Sequence, residues 1–305
     1  MFRKKILLIE PCKKCWPNGY IVHQGSKETS INKTTIHTLE NNITPNQKTL
    51  EKSFRLLVKK LKSLGCDIEV LPFPNKLDDL SGISHSVLYV RDVGFSFENL
   101  WIKSNFSAKN RQKEADVFSE IIKTTYDKKI ITLPKDAEIE FGEVHYIQTK
   151  NETFYFGGIS RANRKGQEVV KDIIQPDNFF IIESLGFHLD TVFTPVVNKE
   201  NNLVAVIIAK GMITPESYKS LEKLKEKDIE IINIDNKDSC DVDGLGTYAV
   251  NCLVGQGFLV SGSNFVTDNV IPKLNSLDIT FHTVGVSDYQ NAGGSVHCIT
   301  NELYL

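Results

Sequence analysis

Tyr89-Val90-Arg91-Asp92-Val93-Gly94-Phe95-Ser96-Phe97, then Glu98-Asn99, then Leu100-Trp101-Ile102, is the stretch on which the fold turns. Two runs rich in β-branched and aromatic residues flank two polar ones, which reads as strand, tight turn, strand. Downstream, a polar stretch holding Arg111 and Glu114 leads to Phe118, Ile121 and Ile122 at helical spacing. Residues 129–133 read as a further strand.

The same order returns at once. Residues 144–149 predict a strand, 150–152 a turn and 154–156 a return strand. Arg161-Ala162-Asn163-Arg164-Lys165-Gly166 then precedes an amphipathic run with Val169, Val170, Ile173 and Ile174, and residues 179–182 close the unit. In a third copy, strands at 191–197 and 203–209 are followed by Thr214-Pro215-Glu216, the N-cap and N1 proline of a helix carrying Tyr218, Leu221 and Leu224. Its closing strand is 229–234. A fourth copy runs from Ala249-Val250-Asn251-Cys252 through residues 257–260 to a short helix at 270–274. The fifth joins a last strand at 296–300 to a first at 6–9. Its helix carries Leu50, Phe54, Leu57, Val58, Leu61 and Leu64, with Gly65 as C-cap, and its closing strand is 68–71. Five hairpin-helix-strand repeats of roughly 60 residues predict an α/β fold, a five-bladed pseudo-symmetric propeller built as one domain over residues 1–305.

Composition narrows the partners. The chain is 41% hydrophobic and 24% charged, and 36 basic against 38 acidic residues leave a formal charge of -2. A nucleic-acid partner would require a basic excess, so none is expected. The apolar run 6–9 after Lys4-Lys5 is too short for a signal segment or a membrane span, which predicts a cytoplasmic protein with no membrane partner. Six cysteines, at 12, 15, 66, 240, 252 and 298, do not make a disulfide scaffold, and reduced thiols are expected. Cys12-Lys13-Lys14-Cys15 has CxxC spacing without a second ligand pair, so it reads as an exposed loop rather than a zinc site. Cys66, Cys240 and Cys252 read as structural. His23, His37, His85, His145, His282 and His297 suggest no partner, and strand alternation turns His297 away from the side of Cys298.

In a closed ring, equivalent positions face one axis. Asp92, Glu140 and His188 are evenly spaced in sequence, each precedes or opens a hairpin strand, and Cys298 holds a similar place in the last unit. A thiol, an imidazole and two carboxylates converging there suit nucleophilic attack on a cationic carbon. Gly293-Gly294 shortly before Cys298 permits positive φ and close backbone approach, and the context predicts an accessible thiolate.

Ala292-Gly293-Gly294-Ser295-Val296-His297-Cys298 resembles the nucleophile motif of the guanidino-group modifying enzymes, the pentein superfamily of arginine deiminases, dimethylarginine dimethylaminohydrolases, agmatine deiminases and amidinotransferases. Phe187-His188-Leu189-Asp190-Thr191-Val192-Phe193 resembles their His-x-Asp segment and Tyr89-Val90-Arg91-Asp92 their Arg-Asp strand. Ile139-Glu140-Phe141-Gly142-Glu143 is similar to a Glu-Gly-Gly-Asp segment, Arg161-Ala162-Asn163 to Arg-Thr-Asn, and Arg111 with Glu114 to an Arg-rich turn. The match covers about residues 84 to 301.

The resemblance implies a cysteine-dependent hydrolase with a small-molecule guanidino substrate and neither metal nor organic cofactor. Asp92 and Asp190 would hold the planar cation through paired charge-assisted hydrogen bonds. Cys298 would form a covalent thiouronium-type intermediate. His188 would protonate the departing amine and then activate water, and Glu140 would bond the substrate or orient His188. Arg161, with Arg111, would take an α-carboxylate. Phe141 and Glu143 depart from the family's Gly and Asp, and Phe141 is expected to pack in the core. Asp190 argues for gripping a less substituted guanidine from two sides, and the chain is short for the helical insertion of bacterial arginine deiminases. Two alternatives stand beside this reading: an amidinotransferase passing the group to an amine, and a non-catalytic pentein like the ribosome anti-association factors. A homodimer is one assembly the sequence leaves open.

Overall fold

Each of the five repeats is a three-stranded sheet in a computed structural model of the chain. The structure describes residues 4–13, 34, 37, 40–43, 46–78, 84–107, 109–240 and 246–305. In chain order the elements are β1 (Lys4–Ile9), α1 (Gln47–Ser63), β2 (Ile68–Leu71), β3 (Gly94–Phe97), β4 (Leu100–Lys103), α2 (Gln112–Tyr126) and β5 (Lys129–Thr132). There follow β6 (Val144–Gln148), β7 (Thr153–Gly158), α3 (Arg164–Ile174), β8 (Asn178–Ile182), β9 (Phe193–Val197), β10 (Leu203–Ala209), α4 (Pro215–Leu221) and β11 (Glu230–Ile234). The chain closes with β12 (Leu253–Gly255), β13 (Phe258–Ser261), α5 (Val270–Ser276), β14 (Thr280–Thr283), α6 (Ser287–Asn291) and β15 (Asn301–Tyr304).

The sheets share one plan. A central strand, for instance β4, pairs antiparallel with the strand before it and parallel with the strand after the helix. β7, β10 and β13 repeat this arrangement, and β1 does so with β15 and β2. An antiparallel neighbour needs only a tight turn, whereas a parallel one needs a crossover, and the helix supplies it.

Two compact units result. One comprises residues 1–141, 286–294 and 298–305, and carries the sheets β15-β1-β2 and β3-β4-β5. The other comprises 142–285 and 295–297, with the remaining three sheets.

In the first unit, α1 starts where Asn46 Oδ1 accepts from the backbone N–H groups of Lys48 and Thr49 at 2.9 and 3.3 Å. It buries Leu50, Phe54, Leu57 and Leu61 on one face, each contributing roughly 1.5–3 kcal/mol. Gly65, with φ +78°, turns the chain after its end.

In the second unit, β10 reads Leu-Val-Ala-Val-Ile-Ile-Ala and is buried at every position but Val204, the pattern of a strand covered on both faces. Phe156, Phe193 and the helical Leu221, Leu224 and Leu274 complete its core. Asn163 caps α3, and Thr214 caps α4 as the sequence predicts.

The strands that carry the site differ from expectation. β3 begins at Gly94, so residues 91–93 lie in a turn, and the last strand is β15 at Asn301–Tyr304 rather than 296–300. Asn301 Nδ2 donates to Val90 O and Gly94 O at 3.0 and 2.8 Å, which starts the strand there and leaves the preceding residues folded in a turn. Cys298 therefore precedes its strand, as Asp92, Glu140 and His188 precede β3, β6 and β9. The strand alternation expected of His297 does not apply to a turn.

Cys12 is fully buried, and its carbonyl accepts from Gln47 Nε2 at 2.7 Å, so at this residue the exposed-loop expectation fails. Cys15 and His23 lie outside the described residues. No helix among the described residues is long and apolar enough to cross a membrane.

Candidate functional site

In the first unit, Arg91 joins the Asp92 turn to the nucleophile turn. Its N–H donates to Cys298 O at 3.1 Å, its Nε donates to Thr300 O at 3.0 Å, and its guanidinium pairs with Glu302. Phe141 N donates to Asp92 O at 3.4 Å, which brings Glu140 beside Asp92. The Phe141 ring is buried and stacks on Phe95 at 5.5 Å, the core packing expected of it.

Gly293 has φ +96° and turns the chain ahead of Cys298. At Gly294 an added Cβ would lie 2.4 Å from the Tyr89 ring and 3.1 Å from Cys298 Cβ. Tyr89, whose hydroxyl donates to Tyr289 O at 2.8 Å, thus fills the space a side chain would need. The glycine pair serves the packing of the turn. Cys298 itself is 4% exposed, more enclosed than the sequence suggests.

Arg111 flanks the start of α2, where sequence reading casts it as a substrate ligand. Its guanidinium already donates to Asp92 Oδ2 at 2.8 Å, to Glu114 Oε2 at 2.9 and 3.1 Å, and to Ser86 O at 3.0 Å. Burial works against the cation, but Glu114, Asp92 and Glu140 together raise its pKa above the ordinary range. Three carboxylates around one cation leave the deepest of them short of compensation. Burial accordingly pushes Glu114 up to about 7, against the pull of Arg111.

The sign of the linkage follows. A carboxyl with a raised folded pKa contributes stability that is fully present below its unfolded value and is lost as pH rises through the folded one. Stability should therefore fall between pH of about 4.5 and 7 through this group, and Glu114→Gln should flatten that fall in urea titrations run across the range. An unchanged slope in the variant would refute the assignment.

In the second unit, a residue that sequence reading left without a role organises the turn of His188. Glu143, immediately before β6 and fully buried, accepts from Ser160 N at 3.0 Å and Ser160 Oγ at 2.5 Å, from Arg161 N, and from Leu189 N at 2.8 Å. An added Cβ at Gly158 would lie 2.0 Å from Glu143 Oε2, so that glycine makes the room. One carboxylate thereby sets both Arg161 and the residue after His188. The sequence signal available was a second glutamate three positions after Glu140.

Arg161 lies over the Phe187 ring at 4.4 Å, and that ring is 4.5 Å from the ring of His188. Asp190, expected to grip substrate, has its Oδ2 2.7 Å from His297 Nδ1. The other thiols suit structural roles: burial pushes Cys66, Cys240 and Cys252 above the ordinary thiol range, which suppresses thiolate.

The first unit thus brings Cys298, Asp92, Glu140 and Arg111 to the turns before β3, β6 and β15. The second brings His188, Asp190 and Arg161 to those around β9 and α3.

Comparison with known proteins extends this. Residues 22–305 match the family model described as N,N dimethylarginine dimethylhydrolase, eukaryotic. No curated protein matches the chain. Among solved structures, the N-terminal domain of ArgZ, a cyanobacterial arginine dihydrolase, was determined as a cysteine-to-serine mutant bound to substrate. It is 14% identical with a TM-score of 0.75, the match covering 99% of this chain and 98% of that one. Unliganded AgrE is 16% identical with a TM-score of 0.76, over 99% of this chain and 40% of that one. The dimethylarginine hydrolase DDAH of Pseudomonas aeruginosa, a cysteine-to-serine mutant complexed with citrulline, is 17% identical with a TM-score of 0.69 over the full length of both.

These likenesses show the five-bladed pseudo-symmetric α/β fold of the pentein superfamily, as the repeat predicts. With nearly its whole length matched by the family model, the chain belongs to the eukaryotic N,N dimethylarginine dimethylhydrolase family, pentein enzymes that hydrolyse C–N bonds of guanidino groups.

Proposed function

We propose that this chain hydrolyses an N-methylated arginine to citrulline and a methylamine, its two compact units acting as one catalytic domain over residues 1–305. Cys298 Sγ adds to the guanidinium carbon while Asp92 and Glu140 hold the cation. The bond from that carbon to the methylated nitrogen breaks, and the amine leaves with a proton from His188. The thiouronium left on Cys298 then takes up water, which His188 deprotonates, and the C–S bond breaks to release citrulline. Arg161, its guanidinium flat on Phe187, receives the α-carboxylate. Arg111, held by Glu114 and Asp92, sets the position of the Asp92 carboxylate.

The observation that carries the substrate choice is the match of residues 22–305 to the dimethylarginine dimethylhydrolase family model. The case for a less substituted guanidine rested on Asp190 as a second carboxylate grip. His297 Nδ1 takes one oxygen of that carboxylate, which weakens the grip on that side. Family membership also favours hydrolysis over amidino transfer and catalysis over binding alone.

Asymmetric dimethylarginine and arginine, each with and without glycine, provide the test. Equal amounts of citrulline and dimethylamine are expected from the first, with kcat/KM about tenfold or more above that for arginine. Ammonia released from arginine at the higher kcat/KM would overturn the substrate, and guanidinoacetate formed from glycine would overturn hydrolysis.

A further inference from the structure

Sequence reading attaches chemistry to four of the five repeats and leaves the fourth without any. Asn251 in that repeat stands two residues before β12, the place Asp92 holds before β3. Its side chain closes a three-cornered set of bonds inside the second unit. Asn251 Nδ2 donates to Asp190 O at 3.0 Å, His297 N donates to Asn251 Oδ1 at 3.0 Å, and His297 Nδ1 meets Asp190 Oδ2 at 2.7 Å. A carboxylate only accepts, so Nδ1 carries the hydrogen. All three residues are buried, Asp190 and Asn251 completely.

The backbone before Asn251 is held as well. Ser261 Oγ donates to Ala249 O at 2.8 Å, and Thr194 Oγ1 donates to Val250 O. The corners of this set matter because of their sequence neighbours. Asp190 lies two residues after His188, and His297 is peptide-bonded to Cys298. The carboxamide is suited to the link because it offers a donor and an acceptor in one rigid plane; aspartate lacks the donor and serine lacks the reach.

We infer that Asn251 is the fourth repeat's contribution to the enzyme: a positioning residue that ties the turn of His188 to the segment entering Cys298, with Asp190 and His297 as its two anchors. The inference rests on the proposed roles of Cys298 and His188. Asp190 then acts through His297 as well.

Three variants test it: Asn251→Leu, which keeps the branching at Cγ and removes both side-chain bonds while leaving His297 N its 3.3 Å bond to Asn251 O; His297→Asn, whose Nδ2 stands where Nδ1 was; and His297→Leu, which has no donor there. The readouts are kcat and KM for dimethylarginine, the rate of Cys298 alkylation by 2-chloroacetamidine, and thermal melting. Asn251→Leu should lower kcat and the alkylation rate together by about 10–100-fold, the cost of a misplaced reacting group, while KM stays within about threefold. His297→Asn should retain most of both rates, and His297→Leu should lose them as Asn251→Leu does.

A folded Asn251→Leu with both rates within about twofold of the parent would overturn the inference, as would a rise in KM at constant kcat. Should Asn251→Leu fail to fold, the two His297 variants decide, since equal losses in both would overturn it. A parent that turns over no guanidino compound would refute the proposed function, yet the alkylation comparison would still read the link.

Discussion

Cys298→Ser is expected to lose citrulline formation by about four orders of magnitude or more, the scale of removing a nucleophile from an enzyme that forms a covalent intermediate. A hydroxyl is a far poorer nucleophile than a thiolate near neutral pH, and a guanidinium is a poor electrophile, so little of the reaction survives the exchange. Cys66, Cys240 and Cys252 should not replace it, because burial raises their pKa and starves them of thiolate. The fold should survive. The turn is held by the Cys298 carbonyl, which accepts from Arg91 N, and by Tyr89 packed over Gly294. Melting should therefore move by less than about 1 kcal/mol of stability. Mass spectrometry of the parent quenched during turnover should place the substrate-derived adduct on the Cys298 peptide. An adduct on another cysteine, or turnover in the serine variant close to that of the parent, would refute the assignment.

Glu143→Ala should be the most damaging substitution away from the reacting groups. The buried carboxylate is the acceptor for three backbone N–H groups, those of Ser160 at the surface and of the buried Arg161 and Leu189. Each buried donor left unmade costs about 1–3 kcal/mol, so a loss of about 3 kcal/mol or more is expected in urea unfolding. The same change releases the backbone at Arg161 and at Leu189 next to His188, so any folded fraction should show a higher KM and a lower kcat. Glu143→Gln keeps the size and one oxygen but turns an NH2 group toward a row of donors, and should fall between. Glu143→Ala as stable as the parent would show that the donors find other partners, and would remove Glu143 from the account.

Much of this molecule is local and therefore legible. The seven-residue apolar run of β10, Thr214-Pro215 at the start of α4, and the spacing of Leu50, Phe54, Leu57 and Leu61 in α1 depend on short-range periodicity and capping. Their recurrence is enough to expect five three-stranded units. The even spacing of Asp92, Glu140 and His188, with Cys298 in the same register, marks the turns that carry the candidate residues.

What could not be read was the content of those turns. Residues 91–93 and 296–299 have strand-like composition, yet they fold as turns because Asn301 and Arg91 bond to backbone far away in sequence. Asp190 and Arg111 read as substrate ligands, and the fold gives each a protein partner as well: His297 lies 2.7 Å from Asp190 Oδ2, and Asp92 and Glu114 flank Arg111. The spacing of Glu143 from Glu140 and the register of Asn251 mark a position but not a partner, because a buried side chain is defined by the donors and acceptors around it. Periodicity is written along the chain and by itself determined the elements, their order and the candidate residues. The partner of each polar group is chosen across the fold, where burial leaves it one or two places to go, and only the tertiary structure decided that.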